Sequence, residues 1–212
     1  MSSYKDSSDQ WQHGIAKSIT FIVTKDCQLA CKYCYLVGKN SKERMSDEIA
    51  RKAVDYILQN KQVSGNKSVV WDFIGGEPFL EIDLIDRTCD YIKKQMFRLN
   101  HPWFNSYRFN FSTNGINFGS EKVQRFIKKN ISHLSIGITI DGTQKKHDLN
   151  RIYKKRRPNE EERGSYADVV NNIPLWLKEF PGVGTKVTIS SADIPYIKES
   201  VLHLYRLGIH EV

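Results

Sequence analysis

The chain has 212 residues, 40% of them hydrophobic and 26% charged, the make-up of a water-soluble domain with one sizeable core. The net charge of +8 would admit an anionic partner, but the densest basic run, Lys154-Lys155-Arg156-Arg157, is followed by Glu160-Glu161-Glu162 and reads as a solvated face, so a nucleic-acid partner is not expected. Four cysteines in all, three of them crowded into one short run, argue against a disulfide framework, and no stretch approaches the ~18 apolar residues of a membrane span.

Residues 1–17 read as a flexible N-terminal segment, polar and without the apolar centre of a signal peptide, so a reduced, cytoplasmic location is expected. From there strand and helix signals alternate. Ile19 to Thr24 is a β-branched run leading into the cysteines. Ser46 can cap a helix through Gln59, with Asp47 and Glu48 in its first turn. Val69 to Ile74 reads as a second strand. Glu81 to Met96 reads as a helix whose stripe contains Cys89, which therefore reads as a core thiol. Tyr107 to Ser112 is a third strand, Ser120 to Lys129 a helix, and Leu134 to Asp141 a fourth strand. Between Tyr166 and Phe180 a helix is expected with a kink or late start at Pro174. Lys186 to Ser190 reads as a fifth strand, and Pro195 to Gly208 bounds another helix. Ile209 to Val212 reads as the start of a sixth strand.

Repeated β-α units imply parallel strands with right-handed crossovers, hence an α/β fold: a partial, open (β/α)6-type TIM barrel, cut near the start of its sixth strand. Several strands alternate in character. Leu134, Ile136, Ile138 and Ile140 share one face, and Ser135, Gly137, Thr139 and Asp141 the other. Tyr107, Phe109 and Phe111 oppose Arg108, Asn110 and Ser112. A closed eight-stranded barrel fills its lumen with Val, Ile and Leu; a polar inner face predicts a lumen that admits a ligand.

The chemistry is concentrated in Thr24-Lys-Asp-Cys-Gln-Leu-Ala-Cys-Lys-Tyr-Cys-Tyr35. Cys27, Cys31 and Cys34 supply three soft thiolates within eight residues, good metal-cluster material. Four irons held by three cysteines leave one iron open to a small molecule, and an open coordination position marks a chemical site. The residues alone also allow a structural zinc knot with a distant fourth ligand, or three unrelated core cysteines.

This C-x3-C-x2-C run, with the aromatic Tyr33 before its third cysteine, resembles the signature of the radical S-adenosylmethionine (SAM) superfamily. The resemblance implies a [4Fe–4S] cluster on the three cysteines, SAM on the fourth iron, and adenine near Tyr33 and Tyr35. Gly75-Gly76-Glu77-Pro78, at the carboxyl end of the second strand, matches the family's GGE motif and implies contact with the SAM amino group. Ser112 and Asn114 end the third strand, where the family places polar SAM or substrate contacts. Thr139-Ile140-Asp141-Gly142, then His147-Asp148-Leu149-Asn150-Arg151, resembles anaerobic sulfatase-maturating enzymes and related peptide maturases (the SPASM type), implying SAM contacts from Thr139 and Arg151. A guanidinium suits the carboxylate of SAM because it offers two parallel hydrogen bonds. His147 reads as structural, orienting its loop, and the Arg151–Gly164 stretch as a solvated excursion.

Residues 18–212 are thus expected to form a radical SAM core domain without the cysteine-rich C-terminal extension of those maturases. The implied activity is reductive cleavage of SAM to a 5′-deoxyadenosyl radical that takes hydrogen from a ribosomally made peptide. A low-potential flavodoxin- or ferredoxin-type donor is the implied electron source, and no membrane partner is expected. The alternatives are a radical SAM enzyme acting on a small molecule or RNA, an inactive fragment, or a non-catalytic metal module. No side chain is assigned as a catalytic acid or base, because hydrogen-atom abstraction requires none.

Overall fold

A computed structural model describes residues 16–212 except 156 and 158. Of the expected N-terminal segment, residues 1–15 lie outside the described residues, while Ala16 and Lys17 already belong to the first strand, β1 (Ala16–Thr24). Arg156 of the basic run likewise lies outside them. Three more strands follow: β2 (Ser68–Gly75), β3 (Tyr107–Thr113) and β4 (Leu134–Ile138). All pairings are parallel in the order β1-β2-β3-β4, as repeated β-α units imply. The helices are α1 (Asp47–Gln59), α2 (Ile82–Arg98), α3 (Glu121–Asn130), α4 (Gln144–Asn150), α5 (Tyr166–Val170), α6 (Ile173–Glu179) and α7 (Ile197–Arg206).

The expected alternation governs the sheet. Phe21, Phe73, Phe111 and Ile136 stand in register across all four strands and are buried under the helices. The rings of Phe21 and Phe73 stack at 5.5 Å between centroids, and those of Phe73 and Phe111 at 5.2 Å. Each such burial stabilises by roughly 1.5–3 kcal/mol, and an aromatic pair adds about 0.5–1.5. One residue earlier, on the opposite face, Thr20, Asp72, Asn110 and Ser135 also stand in register. Asn110 Nδ2 donates to Asp72 Oδ1 at 2.6 Å. The inner face is therefore polar at this level, and the concave side of the sheet stays open to water and ligands.

Helix α1 starts on Ser46, whose hydroxyl accepts from Ile49 N–H, with Asp47 and Glu48 in the first turn. Cys89 is fully buried on the core side of α2. The helix expected across Pro174 is split into α5 and α6, with Pro174 in the first turn of α6, where its missing N–H costs nothing.

Two expectations need correction. The fifth strand, Lys186–Ser190, forms only an isolated parallel bridge between Thr139 and Lys186. The edge of β4 is instead met by side chains: Trp176 Nε1 donates to Ile136 O at 2.6 Å, and Thr185 Oγ1 donates to Ile138 O at 2.6 Å. Ile209–Val212 forms no strand; the Glu211 carbonyl accepts from Thr185 N–H at 2.9 Å. Helix α4 is an addition that the sequence pattern did not signal. It has seven residues, no apolar stripe, and a Thr143 cap accepting from Lys146 N–H. No helix among the described residues is long and apolar enough to cross a membrane.

Candidate functional site

The carboxyl ends of parallel strands are where α/β sheets place their sites. Beyond β1 the chain enters the cysteine loop, which two backbone seams hold in place. Ala30 N–H donates to Ile152 O at 2.7 Å, Lys32 N–H to Asn150 O at 2.9 Å, and Lys154 N–H to Gln28 O at 2.8 Å. On the other side Gly76 N–H donates to Thr24 O and Glu77 N–H to Asp26 O, both at 2.8 Å. This second seam explains the glycines. A Cβ on Gly75 would lie 2.4 Å from the Thr24 carbonyl oxygen, and one on Gly76 would lie 2.2 Å from that of Asp26. The lack of side chains at Gly75 and Gly76 thus allows a close backbone approach to the chain's own cysteine loop.

The Glu77 carboxylate points inward and is 1% exposed. It accepts from Thr113 Oγ1 at 2.7 Å, Asn114 N–H at 2.7 Å and Phe79 N–H at 3.1 Å. Burial pushes its carboxyl up from the ordinary range, against the pull of these donors. Its structural effect is to tie the end of β2 to the end of β3. Asn114 extends the tie, donating through Nδ2 to Gln28 Oε1 at 3.1 Å and approaching Cys27 Sγ at 3.8 Å.

The three cysteines and all the other candidate residues named from the sequence line one cavity of about 560 Å³: Tyr33, Gly75, Gly76 and Glu77, with Ser112, Asn114, Thr139 and Arg151. That volume lies within the roughly 300–1,000 Å³ of small-molecule sites. Cys27 is buried, Cys31 half-buried and Cys34 exposed, all as free thiols. Burial, with the Glu77 charge second, pushes the Cys27 thiol up to about 11; burial also raises Cys31, opposed by Arg151 and Lys39. Such thiols bind metal with loss of protons. Among the described residues no three His, Cys, Asp or Glu side chains converge tightly enough for a single ion.

Arg151 follows α4 and is buried. Its Nη1 donates to the Tyr33 hydroxyl at 3.0 Å, and its Nε is buried with no partner. An unpaired buried N–H is costly; Arg151 itself lines the cavity, and a guanidinium there fits an anionic ligand group such as a carboxylate. The tautomer of His147 follows from its neighbours. Asp141 N–H donates to Nδ1 at 3.3 Å, so Nε2 carries the proton and donates to Ser165 Oγ at 3.0 Å; that hydroxyl donates to Arg151 O at 2.8 Å. Burial, then the Arg151 charge, lowers His147 to about 3, so it is neutral near pH 7. His147 thus orients the backbone that presents Arg151, the structural role expected from the sequence.

Sequence reasoning missed Asp141 as a site residue. It is fully buried, its Oδ1 accepts from Thr188 N–H at 3.2 Å, and its Oδ2 accepts from the Tyr33 hydroxyl. The available signal was a carboxylate at a strand end directly before Gly142. Lys186 and Asp72 also reach the cavity wall; the irregular 183–190 segment and the unremarked inner face of β2 hid them.

The family model described as "Radical SAM superfamily" matches residues 21–200. The chain belongs to the radical SAM superfamily. An uncharacterised protein from Methanocaldococcus jannaschii is 30% identical over 92% of this chain and 61% of its own length. The serine-type anaerobic sulfatase-maturating enzyme of Bacteroides thetaiotaomicron is 29% identical over 72% of this chain and 34% of its own length. Among solved structures, native anSMEcpe with bound AdoMet and the Kp18Cys peptide superposes with a TM-score of 0.71 at 20% identity, over 92% of this chain and 49% of that one. This radical SAM chain therefore spans about a third to three-fifths of the length of these relatives, and the solved structure attests the shared fold.

Proposed function

We propose that residues 18–212 are the SAM-binding core domain of a radical SAM enzyme that modifies a peptide. The observation that carries this reading is the single cavity lined both by the three thiols and by Arg151, a buried guanidinium whose Nε–H has no partner. Cys27, Cys31 and Cys34 would hold a [4Fe–4S] cluster, leaving one iron for SAM. Bound together, cluster and SAM supply one-electron cleavage of the C5′–S bond to methionine and a 5′-deoxyadenosyl radical, which abstracts a hydrogen atom from the substrate.

The chain's own residues bind and orient. Arg151, held by Tyr33 and by the His147–Ser165 relay, would clamp the SAM carboxylate. The Gly75-Gly76-Glu77 turn and Asn114 would fix the amino group, Ser112 and Thr139 would supply hydroxyls, and the Tyr33 ring would flank the nucleoside. Asp72 and Asn110, on the polar inner face of the sheet, line the same cavity and would face the reacting side chain. A peptide substrate is favoured by the likeness to the serine-type and cysteine-type sulfatase-maturating enzymes. A reducing, cytoplasmic setting with a low-potential electron donor fits free thiols of this kind.

The test is anaerobic reconstitution with iron and sulfide, then addition of SAM and dithionite. The expected result is a cubane EPR signal that changes with SAM, and release of 5′-deoxyadenosine. Deuterium from a labelled sulfatase-type peptide should enter that product. A colourless zinc-loaded chain, or a cluster indifferent to SAM, overturns the reading.

A further inference from the structure

The inner wall of the cavity carries an anion that SAM binding does not use. Asp72 lines it from the inner face of β2. Its Oδ1 accepts from Asn110 Nδ2 at 2.6 Å, and the Thr20 hydroxyl makes a looser contact, 3.5 Å from Oδ2. Both donors are neutral, so they position the carboxylate without balancing its charge. A carboxylate offers about four lone-pair sites, so acceptor capacity remains. Among the described residues, no lysine, arginine or histidine nitrogen lies within 4.0 Å of this carboxylate.

Nearer the rim the same wall is apolar. Ile74 lines the cavity, and Ile22, its register partner on β1, is 49% exposed. This pair stands two residues beyond the Thr20–Asp72 pair on both strands. Two residues of strand cover about 6.5 Å, a span that the methylene stem of a lysine or arginine fills while its charged head reaches further. An apolar collar over an unneutralised anion is the complement of such a side chain. The cations that line the cavity stand at another level. Lys186 bridges to Thr139, four residues beyond the Ser135 that shares a row with Asp72 and Asn110, which is about 13 Å along the strand. Arg151 follows α4 and is bonded to Tyr33 of the cysteine loop.

We propose that Asp72 selects the residue to be modified: a peptide lysine or arginine whose stem packs on Ile22 and Ile74 and whose cationic head pairs with the Asp72 carboxylate. The inference deepens the peptide-modifying reading and rests on it. It also bears on where the reacting carbon lies. With the head held at Asp72, the methylenes of the stem stand toward the rim, on the side of the cysteine loop. Hydrogen leaves one of these methylenes as an atom: a C–H bond of the peptide breaks, the C5′–H bond of 5′-deoxyadenosine forms, and the unpaired electron stays on the peptide carbon.

The experiment offers blocked peptides, Ac-Ala-Ala-X-Ala-Ala-amide, to the reconstituted chain with SAM and dithionite. X is lysine, arginine, norleucine or glutamate, deuterated in its side chain. Deuterium transfer to 5′-deoxyadenosine, read as kcat/KM, should favour lysine or arginine over norleucine by about tenfold or more, the worth of one hydrogen bond to a charged group. Glutamate should be the poorest. Asp72→Asn keeps the size of the side chain and removes its charge. It should abolish the preference, chiefly by raising KM for the lysine peptide, with much less effect on the norleucine peptide; a merely structural Asp72 would move both alike. Where the variant does not fold, the ranking by the parent decides. Norleucine equal to lysine in the parent, an unchanged ranking in Asp72→Asn, or no transfer from any of the peptides overturns the proposal. Failure to form 5′-deoxyadenosine even without peptide counts against the radical SAM reading instead. Chemical-shift titration of the same peptides into the metal-free chain then decides the charge preference, and equal or absent shifts overturn it.

Discussion

The hydroxyl of Tyr33 donates to the carboxylate of Asp141, joining the cysteine loop to the rim of the fourth strand across 108 residues of sequence. The same oxygen accepts from Arg151 Nη1, so one phenol sets the position of both a buried anion and a buried cation. Burial raises the Tyr33 hydroxyl well above its ordinary value, so it stays protonated and available as the bridge.

Removing that bridge gives a direct test. Tyr33→Phe leaves both Asp141 and Arg151 short of a partner. Hydrogen bonds to charged groups are worth about 1.5–3 kcal/mol, and a loss of that size is expected in urea unfolding of the metal-free chain. The affinity of the reconstituted protein for SAM, read by anaerobic calorimetry, should fall about tenfold. A variant with parental stability and affinity would show that the bridge is incidental.

Gly76→Ala probes the seam between the Gly-Gly turn and the cysteine loop. The new methyl meets the Asp26 carbonyl oxygen at 2.2 Å, and backbone must move to admit it. Overpacking of this kind costs about 1–3 kcal/mol, and the displaced loop should take up less iron in reconstitution. Gly65→Ala is the control, since its Cβ would meet nothing closer than 3.4 Å. Thermal melts and iron content of the two variants should differ in this order.

His147 predicts a pH dependence of stability. Its folded pKa of about 3 lies below the unfolded value of about 6.5. The unfolded chain takes up a proton that the buried imidazole refuses, so stability is complete above about pH 6.5 and falls as pH drops toward about 3. Burial also lowers His101, which contributes with the same sign. His147→Gln should flatten part of the slope between about pH 7 and pH 5 in urea midpoints, relative to the parent. An unchanged slope would place the imidazole in water.

Trp176→Phe tests how the edge of β4 is protected. It keeps the ring packing and removes the N–H that meets the Ile136 carbonyl. An unpaired strand edge invites pairing with another chain. The expected outcome is a loss of about 1–3 kcal/mol and a larger self-associated fraction in sedimentation velocity. A monomer as well behaved as the parent would mean that the indole bond does not guard the edge.

The four strands and the longer helices were legible because each follows its own period. The β3 run Tyr107-Arg-Phe-Asn-Phe-Ser112 alternates, and α2 repeats apolar residues at helical spacing down to Cys89 and Met96. Helix α4 was not legible, because its stability comes from the Thr143 cap and from buried His147 rather than from an apolar stripe. The fifth strand was misread for a related reason. Lys186 to Ser190 has the alternation of a strand, but the edge it would join is already met by Trp176 and Thr185, a competition between segments that no local pattern records.

What the sequence determined by itself was the inventory: three thiols at cluster spacing, a Gly-Gly-Glu turn after a strand, and an arginine following a Thr-Ile-Asp-Gly rim. These are local facts of composition and spacing. Only the tertiary structure decided what each group does within the site. It spent the Glu77 carboxylate on three internal donors, used the glycines to seat the cysteine loop, and left Arg151 Nε buried with nothing to bond. The reason is that hydrogen-bond satisfaction in a buried site is settled among residues far apart in sequence, and spacing along one chain carries no record of it.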